Sequence, residues 1–121
     1  MFTIDIADRT PLFLQLVNKT EEYVRIGVLK PGDRLPSVRK LTAEIGINPN
    51  TIQKAYDELS SRGIVESAAG RGSFITKNSV EILRERARKR LSELTELVRE
   101  LHSSGLDGEE IRKTVEEALQ K

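Results

Sequence analysis

The sequence has no cysteine and no tryptophan, and a single histidine and a single methionine. Without cysteine there is no disulfide framework, no thiolate metal site and no cysteine nucleophile, and nothing calls for an oxidising compartment, so a cytoplasmic location is expected. Aromatic residues make up only 4% of the chain, so a core must be built from Leu, Ile and Val. Long apolar runs are also missing. The longest stretches free of charge, Thr10 to Asn18 and Ile45 to Gln53, are nine residues each, against the roughly 20 apolar residues of a membrane helix. The opening Met-Phe-Thr-Ile-Asp-Ile carries an acid early and lacks the basic start and apolar middle of an export signal, so neither membrane nor export is expected. No charge sign dominates either, with 20 Lys+Arg against 19 Asp+Glu. This excludes a polybasic or acidic tail and leaves local patches open. With 121 residues, of which 32% are charged, the chain suits one small, helix-rich domain with a modest extension, too small for a large catalytic scaffold. His102 sits late in a helical pattern without a nucleophile or carboxylate pair, so no enzyme, cofactor or metal is expected.

What the sequence does have is dense helix punctuation. Thr10-Pro11 predicts a cap and first helical position, and Leu12, Leu16, Tyr23 and Val24 recur at helical spacing to about Ile26, with Gly27 as the stop. Lys30-Pro31-Gly32-Asp33 is turn chemistry. Ser37 can cap a short second helix ending at Gly46, and Asn48 with Pro49 opens a third that ends at Gly63. Two helices joined by Gly46-Ile47 make the tight corner of a helix-turn-helix. Next, Ile64 to Ser67 and Ser73 to Thr76 are β-prone around Ala68-Ala69-Gly70-Arg71-Gly72, predicting a two-stranded wing. From Ser79 a stripe of Val80, Leu83, Ala87, Leu91, Leu94, Val98 and Leu101 predicts one continuous helix to about Ser103. Roughly 25 residues at 1.5 Å each would make it about 37 Å long. After Ser104-Gly105, Asp107 and Glu110 form a capping-box pattern for a last helix with Ile111, Val115, Ala118 and Leu119 on one face.

The third helix has two unlike faces. At 100° per residue Ala55, Tyr56 and Leu59 cluster around Ile52, whereas Asn50, Lys54 and Asp57 point the other way with Gln53 at their flank. Amide side chains can pair bidentately with adenine in the DNA major groove, which admits a helix of this width. Many helices present a solvated polar face with no such role; the helix-turn-helix and the wing give this one a reading function. Charge adds modest support, because residues 34 to 77 hold seven Lys+Arg against four Asp+Glu. Arg34, Ser37 and Arg39 further place two cations and a hydroxyl beside the free amides of a helix N-terminus, an arrangement suited to a phosphate.

At this point a resemblance becomes plain. Lys30-Pro31-Gly32-Asp33-Arg34-Leu35-Pro36-Ser37-Val38-Arg39-Lys40-Leu41 resembles the DNA-binding domain of GntR-family transcription regulators, and so do Asn50-Thr51, Ala55-Tyr56, Leu59, Gly63 and Gly70-Arg71-Gly72-Ser73-Phe74. The match runs through nearly all of residues 9 to 77. The resemblance implies a winged helix-turn-helix of repressor type that binds operator DNA as a dimer. The family's DNA-contacting arginine falls on Arg39, its third-helix contacts on Asn48, Asn50, Thr51 and Gln53, and its wing-tip glycine on Gly70. With Arg34, Ser37, Lys54, Tyr56, Arg71 and Gly72 these complete the candidate DNA-binding set. Pro49 departs from members with a long basic residue there, which removes one base contact.

The 43 residues from Ser79 to Lys121 are too few for the family's large effector domains. The chain looks like the YtrA-type subfamily, whose short two-helix tail serves dimerisation. The aliphatic tail argues the same way, because one small domain cannot cover it. Leu83, Leu91, Leu94, Val98, Leu101, Ile111, Val115 and Leu119 are the candidate dimerisation residues, and Arg84 to Arg90 reads as a solvated helix face. The expected architecture is therefore mainly α with a small β-hairpin: a winged helix-turn-helix domain over 1–78 and a helical dimerisation region over 79–121. The expected partners are a second copy and a palindromic double-stranded DNA operator, with a small-molecule effector left open. A winged-helix protein-interaction module without sequence readout is the alternative reading.

Overall fold

The structure, a computed structural model, describes residues 2–120. It contains α1 (Leu12–Arg25), α2 (Val38–Ile45), α3 (Pro49–Ser61), β1 (Val65–Ala68), β2 (Gly72–Ile75), α4 (Ser79–Lys89), α5 (Leu91–Ser103) and α6 (Gly108–Leu119). Two compact units result, Met1–Arg84 and Glu85–Lys121.

The first unit is organised around α3. Its Ile52, Ala55 and Leu59 are fully buried, and they join Leu16, Val17 and Val24 of α1, Leu41 of α2, Ile64, Val65 and Ile75 in one aliphatic core. The helix ends follow the caps that the sequence implies. Ser37 Oγ accepts a hydrogen bond from Lys40 N at 3.1 Å, and Gly46 closes α2 in the left-handed region at φ 69°. Only glycine adopts that conformation without strain. Asn48 Oδ1 accepts from Asn50 N at 2.8 Å, with Pro49 at the first helical position. The first helix differs from its expected start. Pro11 itself is the capping residue, Thr10 supplies no side-chain cap, and the Thr10 carbonyl instead accepts from Gln15 Nε2.

Two polar contacts tie α3 to its neighbours. Glu21 of α1 is buried and pairs with Arg62 at 3.3 Å, while Arg62 also donates to Glu58 at 2.7 Å, joining α1 to the end of α3. At the other end the Tyr56 hydroxyl donates to the Pro36 carbonyl at 2.6 Å. This contact fixes α3 against the residue that precedes the Ser37 cap.

The wing pairs Val65 with Ile75 and Ala68 with Gly72. A third segment reinforces it, which its turn chemistry does not reveal. Leu35 N donates to Ser73 O and Ile75 N to Asp33 O, both at 2.9 Å, so residues 32–35 run along the free edge of β2. That edge is thereby paired rather than exposed.

The tail differs from its expected form at three points. Leu83, expected at a dimer surface, is 6% exposed in the core of the first unit, with Ile82 packed beside it. The first unit accordingly extends to Arg84, past the expected boundary at 78. The single long helix is two: Arg90, at φ −84° and ψ −3°, separates α4 from α5, and its amide bonds Ala87 O in a tightened turn. Ser92 Oγ bonds the Lys89 carbonyl, offering that carbonyl a side-chain partner where a continuous helix would supply an amide. Apolar spacing carries through the break because neither glycine nor proline marks it.

In the second unit α5 and α6 pack together as a hairpin. Gly105 at φ 103° makes the turn, and Leu106 N returns to Leu101 O. Asp107 Oδ1 caps α6 through Glu109 N. No residue of α5 or α6 is buried.

Two outcomes follow for the first unit. Ile52→Ala should cost about 3 kcal/mol in urea unfolding at fixed protein concentration, because it opens a cavity at the centre of the core. Burial, helped by the charge of Glu44, raises the Tyr56 phenol above the ordinary tyrosine value. The unfolded chain therefore releases this proton near pH 10 while the folded chain retains it, and stability falls as pH rises above about 10. Tyr56→Phe should flatten that alkaline limb in unfolding curves taken between about pH 8 and 11, and should cost about 1 kcal/mol at neutral pH for the lost hydrogen bond.

Candidate nucleic-acid interface

Helix α3 presents its reading face as the sequence arranges it. Asn50, Gln53, Lys54 and Asp57 are exposed and Thr51 is half-buried, while the opposite side lies in the core. Gln53 lines one groove together with Arg34, Ser37, Gly70 and Gly72, so the start of α2, the middle of α3 and the wing tip converge on a common surface. The core positions all three, through Leu41 beneath α2, Ile52 beneath α3 and Val65 with Ile75 beneath the hairpin.

The individual side chains are not equally available. Asn48 uses its side-chain oxygen to cap α3, leaving its amide nitrogen for other partners. Ser37 likewise accepts from Lys40 N and keeps its hydroxyl proton to donate, the polarity that a phosphate oxygen requires. Gln53 Nε2 donates to Asp57 Oδ1 at 2.9 Å. Lys54 Nζ lies 4.1 Å from the centre of the Phe13 ring on α1, so a cation–π contact holds its ammonium. Phe13 was not read as part of the site, because no spacing rule links residue 13 of one helix to residue 54 of another. Tyr56 is 6% exposed and its hydroxyl donates to the Pro36 carbonyl. It supports the surface from beneath.

The wing tip is shaped by Arg34. Gly72, at φ 113°, carries the arginine across its face, and a Cβ there would meet Arg34 Nε at 2.7 Å. The bridge between Arg34 and Phe74 sets this register. Gly70, at φ 74°, and Arg71 form the exposed turn.

Ion pairing separates the cations into two classes. Among the described residues Arg34, Arg39, Lys54 and Arg71 make no ion pair, whereas Arg84, Arg88 and Arg90 pair with Glu81, Glu85 and Glu93 three residues away. Arg62, counted in the basic segment, is engaged by Glu21 and Glu58. Arg34, Arg39, Lys54 and Arg71 are thus cations without a carboxylate partner on the helix-turn-helix and wing, where phosphate contacts would need them. Among the described residues no helix is long and apolar enough to cross a membrane.

Residues 14–75 match the family described as bacterial regulatory proteins, gntR family. The chain is 38% identical to the HTH-type transcriptional repressor YtrA of Bacillus subtilis over 97% of its own length and 91% of the relative's. The fold is similar to the crystal structure of a transcriptional regulator from Oenococcus oeni, with a TM-score of 0.77 and 36% identity, covering 98% of this chain and 99% of that one. It is also similar to the DNA-binding domain of AraR in complex with operator ORX1, with a TM-score of 0.54 and 25% identity over 63% of this chain and 93% of that one. These relatives are transcription regulators rather than enzymes. The winged helix-turn-helix, its outward amides and these similarities together make this chain a member of the GntR family, a transcription regulator with a DNA-binding helix-turn-helix domain.

Proposed function

We propose that the chain is a homodimeric repressor that reads a palindromic operator, each copy laying α3 in a major groove at half-sites roughly 34 Å apart. The observation that carries this reading is the pair of exposed amides, Asn50 and Gln53, on a helix whose opposite face is locked in the core. Asn50 and Gln53 contact bases. Arg34, Arg39, Lys54 and Arg71, with Ser37, hold phosphates; Asn48, Thr51, Gly70 and Gly72 complete the surface. Repression is supported by the name of the Bacillus subtilis relative, and operator binding by the AraR complex.

The second copy is supported by the tail. Leu91, Leu94 and Leu97 of α5, and Val115 and Leu119 of α6, are exposed, and Val98, Leu101 and Ile111 are only half-buried between the two helices. So much aliphatic surface on a small hairpin suits an isologous interface. A first unit that reads DNA and a tail that pairs copies is the division of labour we propose, with α4 beginning in the first unit, where Leu83 is buried, and the pairing surface on α5 and α6.

A duplex enriched from a random pool by the full chain at moderate salt tests this reading, and failure to enrich an inverted repeat would sink it. On that duplex Arg39→Ala should lower affinity for every sequence and flatten the dependence of log affinity on log salt by about one unit. Asn50→Ala should instead weaken discrimination at one base pair per half-site, by about 1 to 3 kcal/mol. Leu97→Glu should shift the chain to monomer in sedimentation and reduce affinity for the full palindrome at least tenfold. It should leave the far-ultraviolet spectrum of the chain unchanged, because Leu97 is half exposed and glutamate keeps the helix.

A further inference from the structure

We infer that Asp57 is a positioning residue for base readout, fixing the orientation of the Gln53 amide. The inference rests on the DNA-reading role proposed for α3 and adds a residue to it. Gln53 and Asp57 lie one turn apart on the exposed side of the helix, and Gln53 Nε2 donates to Asp57 Oδ1 at 2.9 Å.

The chemistry of the two groups makes the contact directional. A free glutamine amide can turn by half a revolution and present oxygen or nitrogen on either side. A carboxylate only accepts, so it takes the nitrogen side and repels the oxygen side. One N–H is then engaged, and the second N–H and the oxygen remain outward in a fixed order. Adenine offers an acceptor and a donor side by side in the major groove, and pairing with both needs a side chain whose own donor and acceptor are ordered. Asp57 supplies that order before DNA arrives, so the orientation need not be selected on binding.

The placement of the acid argues for this role. Asp57 is an exposed carboxylate on the face that also carries Asn50 and Lys54. On a surface that meets phosphate, a negative charge lowers affinity for all DNA. Its benefit is therefore in discrimination, and discrimination passes through the one side chain that it bonds.

The test uses the full chain and the duplex that wild type enriches, together with duplexes carrying each single base-pair change. Asp57→Ala should reduce discrimination at one base pair per half-site by roughly fivefold, on the order of one lost hydrogen bond. It should raise affinity for unrelated duplexes, since a repulsive charge is gone. Asp57→Asn should raise affinity for unrelated duplexes equally and lose part of the discrimination, because its amide can either accept from Gln53 or donate to it and no longer enforces one order. In a Gln53→Ala background, Asp57→Ala should change discrimination no further. Melting temperatures of all variants confirm that folding is intact. The inference is overturned if Asp57→Ala shifts all duplexes alike, or if its effect survives in the Gln53→Ala background. If wild type enriches no site, the DNA-reading role fails and this inference falls with it; a site that is enriched but indifferent to Asp57 overturns this inference alone.

Discussion

The burial of one stripe of α3, Ile52, Ala55 and Leu59, is the constraint from which the rest of the molecule takes its geometry. A helix with three fully buried positions spaced by three and four residues cannot rotate about its axis without exposing aliphatic surface and opening voids, both costly in a close-packed interior. The exposed Asn50 and Gln53 are therefore aimed by residues that never meet solvent. The Tyr56 hydroxyl extends this control sideways, because its bond to the Pro36 carbonyl fixes where α2 begins and so where Ser37 and Arg39 sit relative to α3. Glu21 and Arg62 perform the same service at the far end of the helix, linking it to α1.

Electrostatics follows a division that net charge conceals. A total of +1 says little about DNA. Pairing says more: Glu81, Glu85 and Glu93 pair with Arg84, Arg88 and Arg90, and Glu21 and Glu58 with Arg62, while among the described residues Arg34, Arg39 and Arg71 make no ion pair. Exposed pairs of this kind contribute little stability. Their consequence is spatial, since they offset Arg84, Arg88 and Arg90 locally while Arg34, Arg39 and Arg71 stay as positive groups on the helix-turn-helix and wing.

Much of the fold was legible because local chemistry and tertiary structure agree. Ser37, Gly46, Asn48 and Pro49 each act where caps and turns predict, and the apolar stripe of α3 follows the helical period. The gntR-type motif, too, was readable residue by residue. What escaped was non-local or unsignalled. The pairing of residues 32–35 with β2 joins segments whose register no turn encodes, and the stacking of Lys54 on Phe13 joins two helices far apart in sequence. Tyr56 was legible as apolar by its angle yet was drawn into the binding set by its place in the motif. Leu83 was misplaced for a related reason, since periodicity shows that a face is apolar and is silent about which surface covers it. The interruption at Arg90 left no mark in composition.

The close approach of Arg34 to Gly72 links two positions well separated in the chain. Position 72 meets two separate demands: its backbone lies in the left-handed half of conformational space, and its α-carbon has the arginine against it. Only the second depends on another residue. In a lineage where position 34 became small, the clash at position 72 would vanish but the backbone demand would stay, since φ 113° lies beyond the left-handed well that asparagine tolerates. Substitution at position 72 with Arg34 in place would push the guanidinium off the wing at once. Position 72 is thus held to glycine by its backbone whatever becomes of position 34, whereas position 34 can change without disturbing position 72.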